Sequence, residues 1–101
     1  MKMLYTVCVN QTEAKKISKG LIKKRLAACV NSWPIHSTYC WQGKLVEERE
    51  VALLAKTLPR KVTAAARYIK AEHSEKIPAI ISWSAKAENK DYNKWINVSI
   101  S

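Results

Sequence analysis

Ala28-Cys29-Val30-Asn31-Ser32-Trp33-Pro34-Ile35-His36-Ser37-Thr38-Tyr39-Cys40-Trp41-Gln42 and Leu45-Val46-Glu47-Glu48-Arg49-Glu50-Val51-Ala52-Leu53-Leu54-Ala55-Lys56-Thr57 are two extended stretches that meet at Gly43. β-Branched and aromatic residues recur along both, and glycine supplies the turn residue that a hairpin needs. Arms of about 13 to 15 residues at roughly 3.3 Å each would span about 40 to 50 Å, against about 5 to 6 residues in a usual strand. A compact domain of this length has a radius of gyration of roughly 13 Å, so the hairpin is expected to overhang its own body. Trp33, Ile35, Tyr39 and Trp41 stand at odd positions and share one face if the strand is regular, Pro34 being the residue able to break that parity. Large apolar side chains on an overhanging arm need cover, which makes Trp33, Tyr39 and Trp41 candidate interface residues.

On the N-terminal side of the hairpin, residues 3–9 form a short run rich in β-formers, as a central strand requires. Thr12 reads as a helix cap, followed by an apolar stripe of Ala14, Ile17, Leu21 and Leu26 with lysines on the other side, which predicts a first helix over about 12–27. Beyond the hairpin, Pro59 suits the first turn of a second helix in which Val62, Ala65, Ala66, Ile69 and His73 fall on one face. Ala79 to Trp83 reads as a fourth strand, and Tyr92, Trp95 and Ile96 mark a short amphipathic tail, helical or extended. Strand, helix, hairpin, helix, strand is the ferredoxin-like βαββαβ order of an α+β sandwich, here with a long β2-β3 hairpin and a C-terminal element. The fold by itself assigns no function.

Composition narrows the function classes. The chain has 101 residues, three cysteines, two glycines and a formal net charge of +10, and reads as a single domain over residues 1–101. Cys8, Cys29 and Cys40 form no Cys-x-x-Cys pair, so free thiols in a reducing compartment are the simpler reading. The start, Met1 to Val9, runs straight into polar Asn10-Gln11-Thr12-Glu13 without a small-residue cleavage site, which points to the cytoplasm. No segment approaches the ~20 apolar residues of a membrane span. Two glycines leave no phosphate-cradling loop, and no nucleophile and base stand paired, so no catalytic residue and no enzyme activity are expected. The absence of phenylalanine removes the aromatic signature of an RNA-recognition domain, and the lysine-rich helix face allows only weak, nonspecific polyanion binding.

Four stretches resemble the CutA family of divalent-cation tolerance proteins: Arg25-Leu26-Ala27-Ala28-Cys29-Val30-Asn31, Tyr39-Cys40-Trp41-Gln42-Gly43-Lys44-Leu45, Glu50-Val51-Ala52-Leu53-Leu54-Ala55-Lys56-Thr57, and Tyr92-x-x-Trp95-Ile96. The resemblance implies a homotrimer built partly through the hairpins and an association with copper and other divalent cations, with no required cofactor. It also implies the alternative of a trimeric signalling or interaction module like the PII proteins, without direct metal chemistry. Where the family often has His-Pro-Tyr-x-x-Pro-Glu, this chain has His73-Ser74-Glu75-Lys76-Ile77-Pro78-Ala79, keeping His73 and Pro78 but losing the first proline, the tyrosine and the final carboxylate.

Cys8 reads two ways, as a small buried hydrophobe or, with the resemblance, as a soft copper ligand. His73 likewise is either a partly buried residue at a helix end or a second ligand. Glu75 is the expected third ligand, replacing the missing carboxylate. His36 reads as an ordinary polar residue, and Trp33, Trp41, Trp83 and Trp95 as core or interface anchors.

Overall fold

Alternation along the strands decides which side of the sheet each residue takes, and the sides are sharply different. The computed structural model describes residues 1–101, in the order β1 (Lys2–Cys8), α1 (Gln11–Lys23), β2 (Cys29–Trp41), β3 (Lys44–Thr57), α2 (Val62–Glu72), β4 (Ile80–Ser84) and α3 (Lys90–Ile100). The four strands form one antiparallel sheet ordered β2-β3-β1-β4, the ferredoxin-like arrangement. In β1 the even residues Leu4, Thr6 and Cys8 lie opposite Ala55, Leu53 and Val51 of β3. That face meets Ala14, Ile17 and Leu21 of α1 and Ala65 and Ile69 of α2 to form the main core. Leu58, Ile96 and Ile100 make a smaller cluster under α3, which is a helix and not an extended tail.

The ends of α1 differ from the sequence expectation. Asn10, not Thr12, is the cap: its backbone is extended and its Oδ1 accepts the Glu13 N–H at 2.9 Å. The helix also stops at Lys23, short of residue 27, because Arg25 enters the left-handed region at φ 56°. There the Leu26 N–H donates to the Leu21 carbonyl at 2.9 Å and the Arg25 N–H to Ile22 at 3.0 Å, which satisfies carbonyls that a helix end otherwise leaves open. Pro59 falls in the turn before α2 and not in its first turn.

The hairpin is as long as the sequence predicts. Trp41 pairs with Lys44 across Gln42 and Gly43, whose φ values of 52° and 78° give the two-residue turn matching strand twist. Since β1 pairs with β3 only over Val51–Thr57, the outer half of the hairpin has no third strand beside it. The molecule is accordingly 46 Å long and only 20 Å across its thinnest dimension. The β2-β3 register is unbroken, so Pro34 leaves the parity intact; β2 is an edge strand, where a missing donor is tolerated. Trp33 lies opposite Ala52, and Trp83 opposite Met3, on the sheet face turned away from α1 and α2. On that open face Trp33, Tyr39, Trp41, Ile81 and Trp83 are all exposed.

Candidate metal site

The end of β1, the start of α1 and the end of α2 converge at one end of the core. Cys8 is the last residue of β1 and its side chain is fully buried among the core residues. Glu13 occupies the first turn of α1, held there by the Asn10 cap. His73 follows the last residue of α2, at φ −76° and ψ 140°, and this extended backbone turns its fully buried ring back toward β1. One ligand atom each from Cys8, Glu13 and His73 lies within 4.8 Å of the other two.

Hydrogen bonds set the orientation of each group. His73 Nε2 lies 2.7 Å from the Val7 carbonyl, which can only accept, so Nε2 carries the proton. Nδ1 is left with a lone pair, which accepts the Glu75 backbone N–H at 3.1 Å and faces Glu13 Oε1 at 3.8 Å. Glu13 Oε1 accepts the Val9 N–H at 3.2 Å, and Oε2 accepts the Ser74 N–H at 3.1 Å. Burial pushes the Glu13 carboxyl up, but the hydrogen bonds from Ser74 and Val9 outweigh it and hold the group below its ordinary value. Burial, reinforced by the charges of Glu13 and Glu50, pushes the Cys8 thiol up to about 11.

The structure therefore brings Cys8 and His73 together, as the resemblance implies, but sets Glu13 beside them where Glu75 was expected. Glu75 contributes only its backbone N–H; its side chain is exposed and outside the cluster. Sequence reasoning passed over Glu13, although Asn10-x-x-Glu13 is the spacing at which a carboxylate in the first helical turn reaches back to the preceding backbone. Thiol, imidazole and carboxylate are a donor set that fits copper or zinc better than magnesium or calcium, which take oxygen shells. A cation taking His73 Nδ1 displaces the Glu75 N–H, and one taking Cys8 displaces a proton.

The other sequence candidates lie elsewhere. Cys29 is half-buried and Cys40 exposed, and all three cysteines are free. His36 is exposed, 3.7 Å from Glu47 on the hairpin. Trp33, Tyr39 and Trp41 are 41%, 40% and 52% exposed, apolar surface that the single chain does not cover. The Tyr39 hydroxyl donates to the Glu48 carboxylate. Trp95 stacks on Tyr92 with ring centroids 5.7 Å apart.

An antiparallel β2-β3-β1-β4 sheet with two helices on one side, an overlong hairpin and a buried thiol–carboxylate–imidazole cluster define a ferredoxin-like α+β protein with a potential cation site. Residues 2–99 match the CutA1 divalent ion tolerance protein family, and the chain belongs to that family. It is 43% identical over 93 residues to a CutA homolog of Xenopus laevis, covering 91% of this chain and 62% of that one. It is 34% identical to the divalent-cation tolerance protein CutA of Archaeoglobus fulgidus, covering 96% of this chain and 95% of that one. The crystal structure of CutA from Xylella fastidiosa superposes with a TM-score of 0.95 at 36% identity, over 99% of this chain and 97% of that one. The structure of the Archaeoglobus protein, described as periplasmic, gives 0.95 at 33% identity over the whole of both chains. No helix of this chain is long and apolar enough to cross a membrane.

Proposed function

We propose that this protein is a homotrimer that binds copper or another thiophilic divalent cation through Cys8, Glu13 and His73, and that it contributes to metal tolerance by binding and not by catalysis. The observation that carries the reading is the convergence of those three donor groups within 4.8 Å at the junction of β1, α1 and α2. Burial holds the Cys8 thiol protonated, so it is not an activated nucleophile, and a cation binding there has to displace its proton. Three unpaired cysteines favour the reducing cytoplasm. The trimer is supported by the open sheet face, where Trp33, Tyr39 and Trp41 stand exposed along an arm that overhangs the body.

Copper titration under anaerobic conditions, followed by calorimetry, tests the site. Cys8→Ser and His73→Ala each weaken binding while Glu75→Gln leaves it unchanged; parental binding by both of the first two variants refutes the assignment. Sedimentation tests the assembly separately. The parent sediments as a trimer at micromolar concentration, and Trp41→Asp weakens it because a carboxylate buried without a partner is costly. A monomeric parent, or an undisturbed trimer in the variant, contradicts the interface.

A further inference from the structure

The net charge of +10 is concentrated on the side of the molecule opposite the aromatic face. Residues 10–25, spanning α1, carry Lys15, Lys16, Lys19, Lys23, Lys24 and Arg25 against Glu13 alone. Residues 58–77, spanning α2, carry five further cations against Glu72 and Glu75, so the helical layer holds +8 of the chain's +10. Few of these charges are neutralised internally. Lys16 lies 3.8 Å from Glu72, and Arg25 donates to the Ser101 carbonyl. Lys15, Lys19 and Lys23 have no acidic partner within ion-pair distance and are exposed.

Their spacing matters. Lys15, Lys19 and Lys23 follow one another at i, i+4, where like charges repel and destabilise the helix. A face needing only solubility would alternate lysine with glutamate; this one keeps an unrelieved row of cations about 6 Å apart. Lys19 and Lys23 also flank a shallow hollow of about 280 Å³ that is completed by Ser18, Ile22 and Val30. A row of regularly spaced anions would relieve the repulsion along the whole stripe.

We propose that the outer face of α1 is a docking surface for the phosphate backbone of double-stranded nucleic acid, engaged through Lys15, Lys19 and Lys23 without sequence preference. An anionic membrane fits less well, because the apolar side of α1, with Ala14, Ile17 and Leu21, is spent in the protein core and cannot enter a bilayer. Unpaired strands need aromatic platforms for their bases. The one aromatic on this layer, Tyr68, packs so closely on Gly20 that a Cβ there would stand 1.6 Å from its hydroxyl. Phosphate contact is what remains, and it carries affinity without reading sequence.

Fluorescence anisotropy with labelled 20-base-pair duplexes tests this on the full-length protein. Two DNA duplexes of unrelated sequence bind equally, as contacts to phosphate alone require. Neutralising about three phosphates gives a slope of log K on log salt near −2.7, so raising salt from about 50 to 200 mM weakens binding about 40-fold. The variant Lys15→Gln/Lys19→Gln/Lys23→Gln, with folding verified by circular dichroism, loses that binding. The control Lys86→Gln/Lys90→Gln/Lys94→Gln removes the same charge near α3 and keeps it. The proposal is overturned by a parental salt slope near zero, by equal losses in the two triple variants, or by binding to phosphatidylserine vesicles in place of both duplexes.

Discussion

Glu13→Ala removes the group that ties three elements together, and its effect can be worked from the hydrogen bonds. The carboxylate accepts from Val9 at 3.2 Å, joining α1 to the end of β1, and from Ser74 at 3.1 Å, joining α1 to the segment after α2. Its side chain is 11% exposed, but both bonds lie at the exposed surface, so water reaches the two N–H groups once the carboxylate is gone. Hydrogen bonds to a charged group contribute about 1.5 to 3 kcal/mol each at most, and allowing for partial rehydration of the two freed N–H groups the variant loses about 2 to 3 kcal/mol. At about 4 to 8 °C per kcal/mol for a domain of this size, Tm falls by roughly 10 to 20 °C. Because the carboxyl is held below its ordinary value in the fold, its contribution is present above the unfolded pKa near 4.5 and is lost as pH falls through the lower folded value. Urea denaturation of parent and variant at matched protein concentration, at pH 7 and again near pH 3, reads both effects. The gap is full at pH 7 and shrinks in acid. Glu75→Ala, which leaves the backbone bond to His73 intact, changes little. A loss under about 0.5 kcal/mol for Glu13→Ala, small beside even one net hydrogen bond, refutes the description of this junction.

Other expectations concern single positions. Thr6 is fully buried and its hydroxyl has no hydrogen-bond partner, so Thr6→Val, which keeps the shape, raises stability by about 1 kcal/mol in chemical denaturation; a loss would mean that the hydroxyl is satisfied. Arg25→Gly relieves a left-handed backbone, a gain of about 1 kcal/mol offset in part by the lost bond to Ser101, and thermal melts should show a net increase. Copper affinity rises about tenfold per pH unit between about pH 6 and 9, because the cation displaces a proton from a thiol near 11 while Glu13 is already ionised; a flat profile excludes sulfur as a ligand.

Much of the fold was legible because strand parity and helix periodicity depend on local spacing. The odd-numbered aromatics of β2 and the stripe residues Ala14, Ile17 and Leu21 of α1 fall where spacing puts them, while Leu26, expected on the same stripe, lies beyond the helix end. Helix ends were less legible, since the left-handed turn at Arg25 uses a residue that does not advertise it. The cation cluster was half visible. Cys8 and His73 came from the resemblance, but their meeting depends on the extended backbone at His73, which folds the ring onto Val7. Glu75 sits near His73 in sequence, yet that same turn leaves its side chain in solvent, and Glu13 arrives from a distant element as part of a helix cap.

X-ray absorption at the copper edge, on protein loaded with one equivalent, reads the inner shell of the proposed site. A sulfur and an imidazole are expected there in the parent, with the sulfur lost in Cys8→Ser and the imidazole lost in His73→Ala. A shell of oxygen and nitrogen alone in the parent, unchanged in both variants, rules out Cys8 and His73 as ligands.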